Sequence, residues 1–391
     1  MIAVIHAEIK TMEEHDISDG YLLADGGKIV ELASMSDWNE DKAQSCAKII
    51  DAQGRTLTPG LVDAHTHMGM WEDGLGFEGA DGNEETDPVT PHLRALDGVN
   101  PMDVTFREAL SAGVTTVITG PGSANPIGGQ LLAMKTRGHR IDDMVIRAPL
   151  GIKAALGENP KSVYNDKNQS PITRMATAAL IRETLEKAQE YREQWDNYHT
   201  GTEDEEKPDI DYKMEAMLPV VRGEIPLHIH AHRADDIFTA IRIAKEFEID
   251  MVLVHCTEGH LIAEELKEEG YPILIGPVMT DRSKPELRNQ TVQNPVVLSE
   301  EGIPISIITD HPETPIQYLR LSAALAVQNG MAKNIALQSI TRNPAESVGI
   351  FDRVGSLRVG KDADFVIWEG DPFSLEGKPF AVFCDGINTD I

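Results

Sequence analysis

The apolar positions of the chain follow two different periods. At both ends they indicate short strands separated by turns, in IAVIHAEI, YLLADGGKIVEL and AKIIDAQGRTLTPG, and again in VGSLRVGKDADFVIWEGDP and PFAVFCDG. Each end is rich in strands but too short to bury a core separately. We therefore predict one composite β-sandwich domain from residues 1–58 and 345–391, and a second domain from residues 59–344.

The middle of the chain alternates between strand and helix patterns. LHIHAH (227–232) is followed by apolar positions at helical spacing from Ile237 to Phe247, and then by the apolar run MVLVH (251–255). The alternation continues through PILIG, PISIITD and a helical stretch at 315–329, and VTTVITG and MVIRAPLGIKAAL indicate earlier strands. Repeated strand-helix units with buried strands predict an α/β fold with a parallel sheet, either doubly wound or closed as a barrel.

Two polar segments are predicted to be loops. Glycine-rich PGSANPIGGQ (121–130) lacks the Lys-Ser/Thr ending of a phosphate-binding loop, so we expect it to cover the mouth of the barrel. The acidic run EDEEKPD (203–209) is expected to be a solvated loop.

Charge and cysteine content narrow the class of protein. The 391 residues carry 35 Lys and Arg against 64 Asp and Glu, a formal charge of −29 that disfavours binding to nucleic acids and anionic membranes. Cys46, Cys256 and Cys384 are far apart, which indicates free thiols in a reducing cytosol. We find no run of about 18 apolar residues, and expect a cytoplasmic protein with a small-molecule substrate and a possible homo-oligomeric state.

Histidines and an aspartate stand at the carboxyl ends of apolar strands. His65 and His67 project from one strand face, about 6.6 Å apart along the chain. Such a pair alone is equally compatible with a structural role on a solvent-exposed strand face. His230, His255 and Asp310 each end a strand of their own, and burying all five on one rim would be costly without a shared divalent metal.

Six ordered motifs resemble the signatures of the metal-dependent amidohydrolase superfamily, nearest its imidazolonepropionase-like and metallo-dipeptidase branch. The resemblance extends from about residue 20 to 383, and the motifs that carry it are PGLVDAHTHMGM, LHIHAHRADDI, LVHCTEGH, ITDHPETP, RNPAESVGI and VGSLRVGKDADFVIW. The resemblance implies a (β/α)8 TIM-like barrel with a composite β-sandwich from the N- and C-terminal segments. It also implies one or two divalent ions, zinc in the first place and manganese or iron as alternatives. Their ligands would be His65, His67, His230, His255 and Asp310.

Lys153, in PLGIKAALGENP, has two alternative interpretations. In many binuclear relatives a carboxylated lysine bridges two metals, and Lys153 lies in a strand where that residue could sit. Alternatively, Lys153 snorkels from a barrel strand or pairs with Glu158, and the site holds one metal. We prefer the single-metal form, because only one clear strand fits between residues 144 and 226.

Other polar residues are candidates for substrate contacts. His228 and His232 share the strand face of His230; we expect His228 to be packed in the core and His232 to lie near the rim, where it contacts substrate. His260 and His311 are expected in surface loops. Arg174, Arg282, Arg233 and Arg288 could each hold a substrate carboxylate through a bidentate contact, although a surface salt bridge is the simpler expectation for each.

The predicted reaction is hydrolysis of a carbon-nitrogen bond in an amide, cyclic amide or amidine. A bound metal would polarise the substrate and lower the pKa of water from 15.7 towards ~7. Asp310 would be the general base and His255 or His232 would stabilise the oxyanion. A serine or cysteine mechanism is less attractive because no Gly-x-Ser-x-Gly motif is present. Alternatives are a metal-dependent dipeptidase, a ring deaminase or a non-catalytic scaffold.

Overall fold

Two eight-stranded sheets organise the computed structural model, which describes residues 1–201 and 207–389. Most of the acidic run at 203–209 and the last two residues of the predicted sandwich domain lie outside the described residues. The strands are β1 (Ile2–Ile9), β2 (Ile17–Asp25), β3 (Lys28–Ser34), β4 (Lys48–Asp51), β5 (Thr56–Pro59), β6 (Leu61–Thr66), β7 (Val114–Thr119), β8 (Ile127–Lys135), β9 (Val145–Ala155), β10 (Leu227–Ala231), β11 (Met251–His255), β12 (Ile273–Ile275), β13 (Ile305–Ile307), β14 (Phe365–Glu369), β15 (Lys378–Cys384) and β16 (Ile387–Asn388).

The α-helices lie mostly between the strands of the middle region. They are α1 (Glu40–Ser45), α2 (Ala95–Gly98), α3 (Val104–Ser111), α4 (Ile141–Met144), α5 (Glu158–Asp166), α6 (Arg174–Thr200), α7 (Tyr212–Val221), α8 (Ala234–Phe247), α9 (Ala263–Glu269), α10 (Gln293–Glu300), α11 (Leu319–Gln328), α12 (Lys333–Gln338) and α13 (Arg342–Ser347). Among the described residues, no helix combines the length and the apolar character needed to cross a lipid bilayer.

The first sheet is assembled from both ends of the chain. β5 pairs in parallel with β1 and antiparallel with β14, so that Pro59 lies opposite Phe365. Its core combines Val4 and Leu57 with Phe365 and Phe383, whose rings stack 4.4 Å apart. This confirms the composite β-structure expected from the two strand-rich ends. The domain boundaries remain a proposal. β5 extends one residue past the boundary at 58/59, and α13 crosses the boundary at 344/345 and packs against β6 and β13.

The second sheet runs in the order β6 to β13 and forms the expected barrel. The sequence predicted a parallel sheet, and five of the seven consecutive strand pairings are parallel, but β8 runs antiparallel to both β7 and β9. This corrects the loop expected at 121–130, because the strand already begins at Ile127. A Cβ atom on Gly129 would lie 2.4 Å from the Leu93 carbonyl oxygen, so glycine at this position permits close backbone approach rather than a loop.

The barrel closes through contacts between its first strand, β6, and the segment that follows its last strand, β13. The backbone N–H of Asp310 donates to the His65 carbonyl oxygen at 3.2 Å. The buried Asp63 carboxylate accepts hydrogen bonds from the Thr309 hydroxyl at 2.6 Å, the Thr309 N–H at 3.1 Å and the His65 N–H at 3.2 Å. Burial raises the pKa of Asp63 to about 7. Asp63 therefore fixes the segments that carry His65 and Asp310 at one rim.

A buried ion cluster joins the barrel to the composite sheet. Lys135, at the end of β8, contacts Asp364, and its Nζ lies 2.8 Å from Asp362 and 3.1 Å from Asp385. Burial disfavours the charge of Lys135, but attraction to Asp364 and the other carboxylates raises its pKa above the usual value. Asp362 is also bonded to Arg353. The cluster therefore couples the position of β8 to that of β14.

Candidate metal centre

Two histidines and one aspartate form a first group at the carboxyl end of the barrel. The Nε2 atoms of His65 and His67 both lie 3.3 Å from Asp310 Oδ1, and the two rings are 5.1 Å apart. Ligands at 2.0–2.2 Å from a tetrahedral ion lie about 3.3–3.5 Å from one another. The spacing of the group therefore matches the edge length of a tetrahedral metal site.

A second group contains three histidines from neighbouring strands. His230 and His232 come from the end of β10, and His255 ends β11; one ring nitrogen of each lies within 4.8 Å of those of the other two. The His255 ring lies 4.5 Å from that of His230 and 5.5 Å from that of His65, so the two groups are adjacent. The structure thus brings all five histidine and aspartate ligands predicted from the motifs to one rim.

Backbone carbonyl groups orient two of these imidazoles. His67 Nδ1 lies 2.7 Å from the Gly120 carbonyl oxygen, and His255 Nδ1 lies 2.7 Å from that of Gly276. A carbonyl oxygen only accepts hydrogen bonds, so in each ring Nδ1 is the donor and Nε2 is the nitrogen left to bind a metal. Both rings are therefore held in the tautomer that a metal ligand requires.

The protonation states of the buried side chains also suit a cation. Burial lowers the pKa of His255 to about 4, and it lowers those of His65, His230 and His232 well below the usual value. Burial opposes the charge of Asp310, but the histidines around it, His255 first and then His65 and His67, hold its pKa well below the usual range. At neutral pH the site offers neutral imidazoles and an ionised carboxylate, the donor set that a divalent metal binds.

Several buried nitrogen atoms of the site have no hydrogen-bond partner in the described part of the chain. These atoms are His65 Nδ1 and both ring nitrogens of His230. Unpaired buried polar atoms are costly, so a bound ion would offset the cost for those that face the site. The residues present therefore fit a divalent metal.

Lys153 points into the same cluster. Its side chain is fully buried on β9, and its Nζ lies 3.5 Å from His65 Nε2. Burial lowers the pKa of Lys153 to about 8, which increases the fraction of neutral amine. Glu158, the alternative partner, instead accepts a hydrogen bond from the Glu286 backbone. Lys153 therefore lies beside the proposed metal ligands. Its carboxylation stays a prediction.

The strand ends that carry the ligands have an unusual backbone. His255 has a φ of +77° and Asp310 a φ of +54°, values in the left-handed region that favours glycine. Each such residue costs about 1–3 kcal/mol and persists only where the surrounding contacts enforce it. The fold therefore holds both ligands in place against a local preference for other conformations.

A cavity of about 430 Å³ opens onto both groups. His67, His230, His232 and Asp310 line it, together with Trp71. His232 was expected to contact substrate near the rim; the structure also places it within the second histidine group, where its Nδ1 lies 2.7 Å from the Thr257 hydroxyl.

None of the four candidate arginines, Arg174, Arg233, Arg282 and Arg288, lines this cavity. Arg174 Nε donates to both Asp236 carboxylate oxygens at 2.9 and 3.1 Å, and Arg282 Nη2 donates to the Gln290 carbonyl oxygen at 2.6 Å. A cation that the sequence interpretation missed, Lys284, does line the cavity. Its position in a loop after β12 gave no periodic signal by which it could be recognised.

The remaining histidines are distributed as follows. His228 is fully buried, as expected for a core residue, and burial lowers its pKa to about 3. His311 was expected on the surface, but it is buried and its Nδ1 accepts a hydrogen bond from the Ile316 N–H at 3.2 Å. His311 is buried because barrel closure draws its segment inward: the His311 carbonyl oxygen accepts a hydrogen bond from the His67 N–H. His260 is partly buried.

Comparison with known proteins identifies relatives for nearly the whole chain. Residues 56–389 match the model of the amidohydrolase family. The amidohydrolase tasK of Hapsidospora irregularis is 31% identical over 364 residues, which are 87% of this chain and 37% of that protein. This chain thus spans little more than a third of that relative. An imidazolonepropionase of Paracoccus denitrificans is 25% identical, over 93% of this chain and 92% of the relative.

Solved structures agree with this assignment. An amidohydrolase from Thermotoga maritima MSB8 superposes with a TM-score of 0.94 and 40% identity, covering 100% of this chain and 99% of the other. A prolidase complexed with N-methylphosphonate-L-proline superposes with a TM-score of 0.60 at 16% identity, over 99% of this chain and 98% of the other, which shows similarity of fold alone. These matches confirm the resemblance and the barrel fold expected from the motifs.

Proposed function

The chain belongs to the amidohydrolase family, and from that premise we propose that it is a metal-dependent hydrolase that cleaves a carbon-nitrogen bond of a small molecule. The observation that carries the proposal is the convergence of two ligand groups, His65–His67–Asp310 and His230–His232–His255, beside one cavity that members of both groups line. A divalent ion, zinc in the first place, would supply Lewis-acid polarisation of the substrate and an acidified water there.

Asp310 is the proposed general base. Its carboxylate lines the cavity and stays ionised at neutral pH, so it can accept a proton from the attacking water. The same group then delivers that proton to the leaving nitrogen, which must be protonated before the carbon-nitrogen bond breaks. Asp63 supports this role by fixing the Thr309 segment immediately before Asp310.

His232 and His255 are the proposed supports for the developing oxyanion. Their rings stack 4.5 Å apart, and His232 lines the cavity. Because burial keeps both imidazoles neutral, they act by orientation or by metal ligation rather than as positive charges.

A cyclic amide is the substrate class that we propose first, because the Paracoccus relative named imidazolonepropionase matches over 93% of this chain. Lys284, whose Nζ lies 2.9 Å from Asn159 Oδ1 in the cavity wall, is a candidate contact for a substrate carboxylate. We also propose a cytoplasmic location, supported by the three free cysteines, and a possible homo-oligomer, which light scattering would test.

A substrate screen with metal control tests this function. Hydantoins, lactams, N-acyl amino acids and dipeptides would be offered to zinc- or manganese-loaded protein, and to the same protein after chelation. We expect turnover of at least one cyclic amide that is lost on chelation and restored by metal. Turnover that survives removal of all metal would contradict the proposal.

A further inference from the structure

A buried carboxylate beside the second histidine group has no part in the mechanism described above. Glu286 lies in the segment that follows β12, and its side chain is only 1% exposed. Its Oε1 lies 3.7 Å from His230 Nε2 and 3.6 Å from His232 Nε2. Its other close neighbour is the Lys284 ammonium, whose Nζ lies 2.8 Å from the same oxygen. A buried carboxylate requires cations to offset its desolvation, and an ion held by the two histidines would add to the compensation that Lys284 gives.

The backbone around Glu286 is built to aim this oxygen at the histidines. Glu286 Oε2 accepts a hydrogen bond from the Glu158 N–H at 3.0 Å, and the Glu286 N–H donates to Glu158 Oε2 at 3.2 Å. Gly157, with a φ of +85°, leaves the space: a Cβ atom there would lie 2.8 Å from Glu286 Oε2. With one oxygen fixed by the backbone, the other is left facing His230 and His232.

We propose that Glu286 is a metal ligand and that, with His230, His232 and His255, it completes a four-ligand site for a divalent cation such as Zn²⁺. The oxygen-to-nitrogen distances of 3.6 and 3.7 Å are close to the separation of about 3.3–3.5 Å expected between tetrahedral ligands. Each histidine group then has one carboxylate, Asp310 in the first and Glu286 in the second. The inference rests on the proposed function, since the ion is one that the hydrolase would use.

Lys284 provides an independent test of this role. Its Nζ lies 2.8 Å from Glu286 Oε1, so the ammonium competes by charge repulsion with any cation at the same oxygen. A carboxylate oxygen has two lone pairs and can contact both. Removing the ammonium should therefore tighten metal binding at the second group, whereas a purely structural Lys284–Glu286 ion pair would give no such gain.

Metal titration of the full chain distinguishes these roles. Chelated protein would be titrated with Zn²⁺ against a chromophoric chelator, giving the number of ions and their affinities, and with Co²⁺ to follow the visible absorption of tetrahedral sites. In Glu286→Gln we expect the ion at the second histidine group to bind more than about 100-fold more weakly, a larger loss than the roughly 10–100-fold seen for residues that only support ligands. The matched control is Glu313→Gln, which removes another carboxylate of the cavity and should leave metal content unchanged.

The outcomes separate this inference from the proposed function. Unchanged ion number and affinity in Glu286→Gln would overturn the inference alone, and a wild-type protein that binds no metal would overturn the proposed function as well. Lys284→Met keeps Glu286 and does not depend on the folding of Glu286→Gln. We expect the Lys284→Met protein to bind the ion at the second histidine group more tightly than the wild type, and equal or weaker binding would overturn the inference.

Discussion

Replacing Lys135 by methionine should destabilise the protein in a pH-dependent way. Methionine keeps most of the length of the side chain but removes the buried charge that faces Asp362, Asp364 and Asp385. In the variant, Asp362 retains its contacts with Arg353 and Lys28. Burial alone would raise the pKa of Asp362, but in the wild type Arg353 and Lys135 together hold it at about 2. The loss therefore falls mainly on Asp364.

The size of the effect follows from the proton that Asp364 would take up. Its side chain is 4% exposed, and burial already raises its pKa against the attraction of Lys135. Without that attraction, the folded variant would bind a proton rather than bury a charge. Protonating a carboxyl of ordinary pKa near 3.9 at pH 7 costs about 1.4 kcal/mol per pH unit, or about 4 kcal/mol in all. Breaking buried pairs costs a similar amount, about 3–5 kcal/mol.

The sign of the pH dependence is fixed by this proton. Because the folded variant binds a proton that the unfolded chain lacks, its stability is greatest at low pH and falls as pH rises. Urea unfolding of wild type and variant should differ by about 4 kcal/mol at pH 7 and by about 1.5 kcal/mol at pH 5. The matched control is Lys333→Met, which removes an exposed ion pair with Asp371 and should cost less than about 1 kcal/mol. A loss below 1 kcal/mol at pH 7, or an equal loss at both pH values, would refute the reasoning.

Three further predictions concern the site and the two ends of the chain. Asp310→Asn should keep the fold, as judged by circular dichroism, and lower turnover at least about 10²-fold, because an amide cannot accept the water's proton; near-normal activity would mean that another group is the base. Two bound ions should accompany a carboxylated Lys153, and a single ion an unmodified one, because an ammonium and two cations repel; native mass spectrometry that finds two ions beside an unmodified lysine would contradict this. Limited proteolysis should not release residues 1–58 or 354–384 as independently folded fragments, since their strands complete one sheet; isolation of a soluble folded fragment would count against it.

The elements that carry strong periodic signals were predictable from the sequence. β10 alternates apolar residues with histidines, β11 is an apolar run that ends in His255, and the helix after His232 has apolar positions at helical spacing. These patterns are clear enough to place both strand ends at the barrel rim. β8 was missed because its second and third residues, Gly128 and Gly129, have the composition of a loop. The fit of that strand depends on the contact with the Leu93 carbonyl oxygen, which is distant in sequence.

The candidate site was predictable only where a ligand ends a strand. The motif spacing located His65, His67 and Asp310, whereas Lys284 and Glu286 lie in an irregular segment whose path is set by tertiary contacts. Their roles depend on the Glu158 backbone, which no local pattern relates to residue 286.

The composite sheet has a consequence for synthesis of the chain on the ribosome. β5 must pair with β14, and the paired residues Thr58 and Val366 are about 300 residues apart. At about 5–20 residues per second, the edge of β5 waits on the order of 15–60 s for its partner. During that time an unpaired edge is open to pairing with other chains, so the nascent N-terminal sheet is the part of this protein for which protection by a chaperone matters most.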